Sequence, residues 1–301
     1  MNIQSFTLNQ KPLKAQSQLK WLLPLLMVSC VVLVQAQTTQ VTPGTVYVLN
    51  ENTRDVPSTL DRRIRDYDIA IAFNPRSIAA HYNRGLLLQN QGKLDSARTD
   101  YATVIALDPR HAAAYNNRAT VYYAMGQLEH ALADWDRAIQ IDRRYAAAYT
   151  NRGVALAGKG RLDLALKDQN LAIELEPNLG NAYFNRGVLQ LIKGDLSAAA
   201  VDLDYAINLL PDFAQAYDNR GAVHFALGQF EQALANYNRS IQLDPNLADV
   251  YQNRGILYLF LGRDLEAAND FEKCLELDPS SKPALNRAVT MAKERLANRM
   301  R

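Results

Sequence analysis

The chain has 301 residues, 48% hydrophobic and 21% charged, which is enough to bury a sizeable core. Its formal charge is +2, but Lys11, Lys14 and Lys20 stand in an N-terminal stretch without an acid, and removing residues 1–36 leaves −1. A folded part with no basic footprint excludes nucleic acid as a partner class.

In chain order, the first feature is an address. Three lysines precede WLLPLLMVSCVVLV (21–34), an uncharged apolar run followed by Gln35 and Ala36. A charged region, an apolar region of this length and small residues after it form the pattern of a secretory signal. The run is shorter than the roughly 18–20 apolar residues of a spanning helix. Residues 1–36 are therefore expected to be a signal peptide or an N-terminal anchor, and Met27-Val28-Ser29-Cys30 also resembles a weak lipobox. The expected location is exported, in the periplasm or cell envelope, with a membrane-anchored form as the alternative. Membrane contact would come only through this anchor or a lipidated Cys30. After cleavage Cys274 stands alone, which rules out an intrachain disulfide and leaves it as a small core residue. Residues 37–57 hold Pro43, Gly44 and Pro57 without helical period and read as a flexible lead-in.

From residue 78 the chain repeats every 34 residues. With position 4 set at His81, Tyr115, Tyr149, Tyr183, Tyr217 and Tyr251, other positions lock. Position 15 is Gly92, Gly126, Gly160, Gly194, Gly228 and Gly262; position 20 is Ala97, Ala131, Ala165, Ala199, Ala233 and Ala267. Position 24 is bulky (Tyr101, Trp135, Gln169, Leu203, Tyr237, Phe271), and position 32 is Pro except for Arg143. Positions 4, 8 and 11 share one face of a first helix, and 20, 24 and 27 one face of a second. Gly at 15 permits a tight turn between them, and Pro at 32 stops the second helix.

This pattern resembles the tetratricopeptide repeat, continuously over 78–281 in six copies. The resemblance implies an all-α fold, a right-handed α-solenoid superhelix of stacked helix hairpins, because one hairpin cannot bury its face alone. Residues 58–77 keep Tyr67, Ala70 and Pro75 in phase and read as the second helix of a degenerate half repeat; 282–301 reads as a capping helix.

Two polar residues recur beside the stripe. Arg at position 7 (Arg84, Arg118, Arg152, Arg186, Arg220, Arg254) accompanies an acid at position 23 (Asp66, Asp100, Asp134, Asp168, Asp202, Asp270, with Asn236 between). Both flank inward stripes, so a ladder of partly buried structural ion pairs is expected. The pairs could close within a repeat (Arg118–Asp134) or between repeats (Asp100–Arg118), and spacing does not choose.

Asn at position 6 recurs as Asn83, Asn117, Asn151, Asn185, Asn219 and Asn253. A carboxamide both donates and accepts, so it can pair with the N–H and C=O of an extended peptide. In the resembled family this stripe lines the concave groove, and the row is similar to the asparagine ladder of the O-GlcNAc transferase superhelix. The resemblance thus implies a peptide-binding role for these six; the other reading is that each Asn bridges neighbouring helices. Leu191, Phe225 and Phe260 are expected as apolar anchors for the ligand. Lysines of the kind that clamp carboxylates in some family members are missing: position 2 is Ala79, Ala113, Ala147, Asn181, Gln215 and Asp249, and position 5 is Tyr82, Asn116, Thr150, Phe184, Asp218 and Gln252.

No chemistry emerges. Gly153–Gly160 imitates a phosphate loop but lacks the hydroxyl for Mg²⁺ and sits in a repeat helix. His81, His111, His130 and His224 occupy four different repeat positions, so no metal spacing appears and no cofactor is expected. The reading is a non-enzymatic scaffold or adaptor that binds a partner protein or peptide. The alternative is a structural protein acting through its convex surface or as a homo-oligomer.

Overall fold

The computed structural model describes residues 57–290, apart from 284 and 288. The N-terminal segment 1–36, Cys30, nearly all of the lead-in and residues 291–301 lie outside the described residues. All regular structure among the described residues is helical. After α1 (Pro57–Phe73) come six hairpins: α2 (Ile78–Asn90) with α3 (Leu94–Leu107), α4 (Ala112–Ala124) with α5 (Leu128–Ile141), and α6 (Ala146–Gly158) with α7 (Leu162–Leu175). They continue with α8 (Gly180–Lys193) and α9 (Leu196–Leu209), α10 (Ala214–Ala226) and α11 (Phe230–Leu243), and α12 (Ala248–Phe260) and α13 (Asp264–Leu277). A 3₁₀ turn, Pro279–Ser281, follows, and residues 282, 283, 285–287, 289 and 290 are helical.

The residues form two compact units divided inside α8, one ending at Leu189 and the other beginning at Gln190. In the first, each helix from α1 to α7 packs on its neighbour in the chain, and the first helices also touch in series, α2 on α4 and α4 on α6. In the second, α9 to α13 do the same, with α10 against α12. Position 20 is closed off from solvent throughout: Ala97, Ala131, Ala165, Ala199, Ala233 and Ala267 are all 0% exposed. Around them lie separate clusters, such as Trp135, Ala138, Tyr149 and Ala155 in the first unit and Leu259 with Ala267 in the second. Phe271 and Val289 pack against the latter, which places the start of the final helical stretch on α13's hairpin.

Two small positions shape the hairpins, 15, which is always Gly, and 8, which is Gly except for Ala119. At position 15 the backbone is left-handed, with φ between 71° and 82°. There Gly92 N–H reaches back to Gln89 O at 2.9 Å and Lys93 N–H to Leu88 O at 2.9 Å, which closes the orphan carbonyls of α2. At position 8 the reason is contact instead. A Cβ on Gly221 would stand 2.6 Å from the Tyr237 ring, and one on Gly255 would stand 2.5 Å from Phe271. At Gly85, Gly221 and Gly255 the absence of a side chain admits the aromatic at 24, whereas Trp135 sits in the repeat that has Ala119 at position 8. Gln169 is the polar exception at position 24; it is fully buried and its Nε2 donates to Thr150 O at 3.0 Å.

These causes separate by mutation. Gly126→Ala meets no neighbour but must hold φ +72°, so it should cost about 1–2 kcal/mol of stability in urea unfolding. Gly221→Ala should cost about 1–3 kcal/mol by overpacking, and adding Tyr237→Leu should recover part of that loss.

Candidate functional site

The repeated arginine is a three-way joint. In five hairpins positions 7 and 23 face each other across the turn, so the pair closes inside the repeat. Arg118 Nε and Nη2 donate to Asp134 at 2.7 and 2.8 Å, Arg152 likewise to Asp168 at 2.8 and 2.7 Å, and Arg254 to Asp270 at 2.8 and 2.7 Å. Arg84 grips Asp100 at 2.8 and 2.6 Å. Where position 23 is Asn236, Arg220 Nε donates to its Oδ1 at 2.7 Å. The third nitrogen, Nη1, reaches back to position 25 of the preceding second helix: Arg84 to Asp68, Arg152 to Asp136, Arg186 to Asn170, Arg220 to Asp204 and Arg254 to Asn238, all between 2.6 and 2.9 Å. Hydrogen bonding to Asp100 and Asp168 holds the Arg84 and Arg152 guanidinium groups above their ordinary value. Asp202 is buried, whereas Asp66 is exposed and stands outside this arrangement, because the arginine sixteen residues before it does not exist.

The position-25 acceptors were not singled out from sequence. The signal existed: a short polar side chain sixteen residues before five of the six arginines, with Ala102 the exception. Arg118, which lacks that acceptor, lies over the Tyr115 and Tyr122 rings at 5.6 and 5.7 Å. The tyrosines at position 4 share in the joint. Tyr149, Tyr217 and Tyr251 each lie under their repeat's arginine and donate O–H to the carbonyl six residues earlier, Arg143, Pro211 and Pro245, at 3.1–3.2 Å. His81 keeps that link through Nε2 and Pro75 O at 3.1 Å, with Nδ1 at 2.9 Å from Asp100.

The asparagine row is more heterogeneous than its sequence. Asn117 Nδ2 donates to Tyr82 Oη at 3.0 Å, Asn151 Nδ2 to Asn116 Oδ1 at 3.0 Å, and Asn253 Nδ2 to the Asp218 carboxylate at 3.0 and 3.2 Å. Each of these is position 6 bonding position 5 of the repeat before, so here the carboxamide ties successive first helices together. Asn219 Nδ2 donates to Gln215 O of its own helix at 2.9 Å. Asn117, Asn185, Asn219 and Asn253 are buried; Asn83 and Asn151 are partly exposed.

The apolar anchors need correction. Leu191 is 1% exposed and Phe225 is 0%, so neither has surface for a ligand. Phe225 meets Phe260 and Phe230 edge-on with centroids 5.7 and 6.0 Å apart, and it serves the internal packing of the second unit. Phe260 is partly exposed but is the third member of that cluster, 5.1 Å from Phe230. Spacing alone put these side chains on the groove stripe, whereas a large ring beside a small-residue turn is drawn into the interface.

The second unit also carries an unusual acid pair. Asp218 is 2% exposed, and burial raises its pKa to about 7, opposed by the Asn253 amide and reinforced by the charge of Asp249. Burial likewise raises Asp249 to about 6, with Asp278 contributing. Burial pushes the Cys274 thiol up as well, and at 1% exposure it is a core atom. Among the described residues no cluster of three or more His, Cys, Asp or Glu could hold a metal, and no helix is long and apolar enough to cross a membrane.

With the hairpins and their joints established, the family follows. The TPR repeat profile matches residues 90–126, 120–160 and 221–262, and the tetratricopeptide repeat profile matches 146–179 and 248–281. Together they span half of the chain, which belongs to the tetratricopeptide-repeat family and is a repeat-based protein-interaction scaffold. Members of this family are generally non-enzymatic. The fold is similar to that of the APC/C hetero-tetramer Cut9–Hcn1, at 18% identity and TM-score 0.70 over 87% of this chain. The match spans only 55% of the length of that protein. It is also similar to a tetratricopeptide repeat protein from Parabacteroides merdae (19% identity, TM-score 0.60, 91% of this chain and 99% of that one) and to pilF of Pseudomonas aeruginosa (17%, 0.61, 77% and 99%). No curated protein matches the sequence.

Two expectations follow from the joints. Arg152→Ala strands the buried Asp168 carboxylate and should cost roughly 3–5 kcal/mol, and Arg220→Ala, which faces the neutral Asn236, should cost clearly less in the same unfolding assay. For Asp218, the raised folded-state pKa means that the native chain binds more protons than the unfolded one between about pH 4 and pH 7, so stability falls as pH rises through that window. Thermal unfolding should therefore occur at higher temperature at pH 5 than at pH 8, and Asp218→Asn should flatten the profile and raise the pH 8 value.

Proposed function

We propose that this chain is a non-enzymatic adaptor of the cell envelope that holds an extended segment of a partner protein along the face formed by its first helices. The envelope setting rests on the charged and apolar segments within residues 1–36. The carrying observation is the carboxamide row: at Asn83 and Asn151, on α2 and α6, amide groups remain partly exposed on the face where position 5 is also polar. A backbone-reading surface requires groups that donate and accept irrespective of the guest's side chains, and carboxamides meet that requirement. The four buried asparagines then work inside the scaffold and shape the row, while the exposed ones meet the guest.

Asn83→Ala tests this. One hydrogen bond of about 0.5–1.5 kcal/mol corresponds to a few-fold change in affinity. In pull-downs from envelope extract quantified by mass spectrometry, the proteins retained by the wild-type chain should fall by about threefold or more with the Asn83→Ala bait, at an unchanged unfolding temperature. Equal retention by both baits would remove the asparagine row from recognition.

A further inference from the structure

On the first-helix face of α2, α4 and α6, the amide bonds described above form one directed chain. Asn151 Nδ2 donates to Asn116 Oδ1 at 3.0 Å, Asn116 Nδ2 to Asn117 Oδ1 at 3.0 Å, and Asn117 Nδ2 to Tyr82 Oη at 3.0 Å. The series runs from α6 through α4 to α2, and it ends on a hydroxyl that receives a hydrogen bond and still has its own proton to give. Aligned hydrogen bonds polarise one another, so the last hydroxyl becomes the strongest donor of the series. Burial pushes the Tyr82 phenol up, which keeps that proton in place at neutral pH.

His111 stands beside it, with its ring centroid 5.0 Å from that of Tyr82. It is the N-cap of α4: its Nδ1 lies 3.1 Å from the Ala114 backbone nitrogen. A backbone N–H can only donate, so Nδ1 is the acceptor and the proton of the neutral ring is on Nε2. The scaffold thus sets both tautomer and polarity, and it leaves two protons, Tyr82 Oη–H and His111 Nε2–H, on adjacent partly exposed rings. Among the described residues no acceptor meets either of them. The third ring of the group, Tyr101, is different: its hydroxyl donates to Gln89 Oε1 at 2.8 Å.

We propose that Tyr82 and His111 form a two-donor subsite that receives an acceptor oxygen, carbonyl or carboxylate, of the bound peptide segment. This rests on the adaptor reading and fixes which end of the first unit meets an electron-rich group of the guest. Recognition is by neutral donors, so it does not need the lysines that positions 2 and 5 lack.

The probes are N-acetylglycine, which has a carbonyl and a free carboxylate, and N-acetylglycine methylamide, which has carbonyls only. Each is titrated into the full chain while the ring-nitrogen signals of His111 are followed by NMR. A saturable shift of the Nε2 signal with either probe is expected, weakened at least about fivefold by Tyr82→Phe. A stronger response to the free acid assigns the oxygen to a carboxylate, and equal responses assign it to a carbonyl. No saturable shift up to about 0.2 M of either probe, or a shift untouched by Tyr82→Phe, overturns the subsite. Should Tyr82→Phe fail to fold, the wild-type titration still decides whether the subsite exists. Loss of the subsite with the Asn83 dependence of capture intact would leave the adaptor standing, whereas the reverse outcome would leave an oxygen site without a peptide groove.

Discussion

The structure depends on one planar cation per repeat. A guanidinium presents its donors in a fixed fork, and here two of them close a hairpin onto position 23 while the third binds the preceding second helix. No monovalent point charge could fill that place, because the three acceptor atoms lie on two helices at fixed directions. The apolar stripes supply the driving force for stacking, but apolar contact is tolerant of sliding. Burying the carboxylates of Asp134, Asp168 and Asp270 removes that tolerance, since any shift of register would leave a charge without its partner.

Around this joint the remaining features fall into place. Position 8 must be small so that the aromatic at 24 can cross beneath it, and the tyrosine at 4 both covers the guanidinium and reaches the carbonyl of the preceding turn. The carboxamide at 6 then links first helix to first helix at Asn117, Asn151 and Asn253, whose partners at position 5 are Tyr82, Asn116 and Asp218. Because position 5 changes along the chain, a row that is uniform in sequence bonds a phenol at Asn117, an amide at Asn151, a carboxylate at Asn253 and its own helix at Asn219. At these rungs the first unit has neutral hydroxyl and amide acceptors, and the second has the buried carboxyl group of Asp218.

The period, the hairpin boundaries, the turn glycines and the identity of the paired arginines were legible because each is a local rule repeated in register: 3.6-residue spacing, a left-handed turn, a breaking proline. Asp66 and the anchors Leu191 and Phe225 show where such reading fails. A residue can keep its place in the pattern and yet have no partner among the described residues, as Asp66 does, or be drawn inside by a neighbour that the pattern does not specify, as Phe225 is by Phe230 and Phe260.

By itself, the sequence determined that this chain is a stack of six helix hairpins with an arginine and an asparagine at constant positions, because periodicity is a one-dimensional property. Only the tertiary structure decided that the arginine pairs within its own repeat while also reaching back, and that Asn117, Asn151 and Asn253 bind the repeat before. Those choices depend on which acceptor stands within hydrogen-bond reach across the packed helices, a distance that spacing along the chain does not encode.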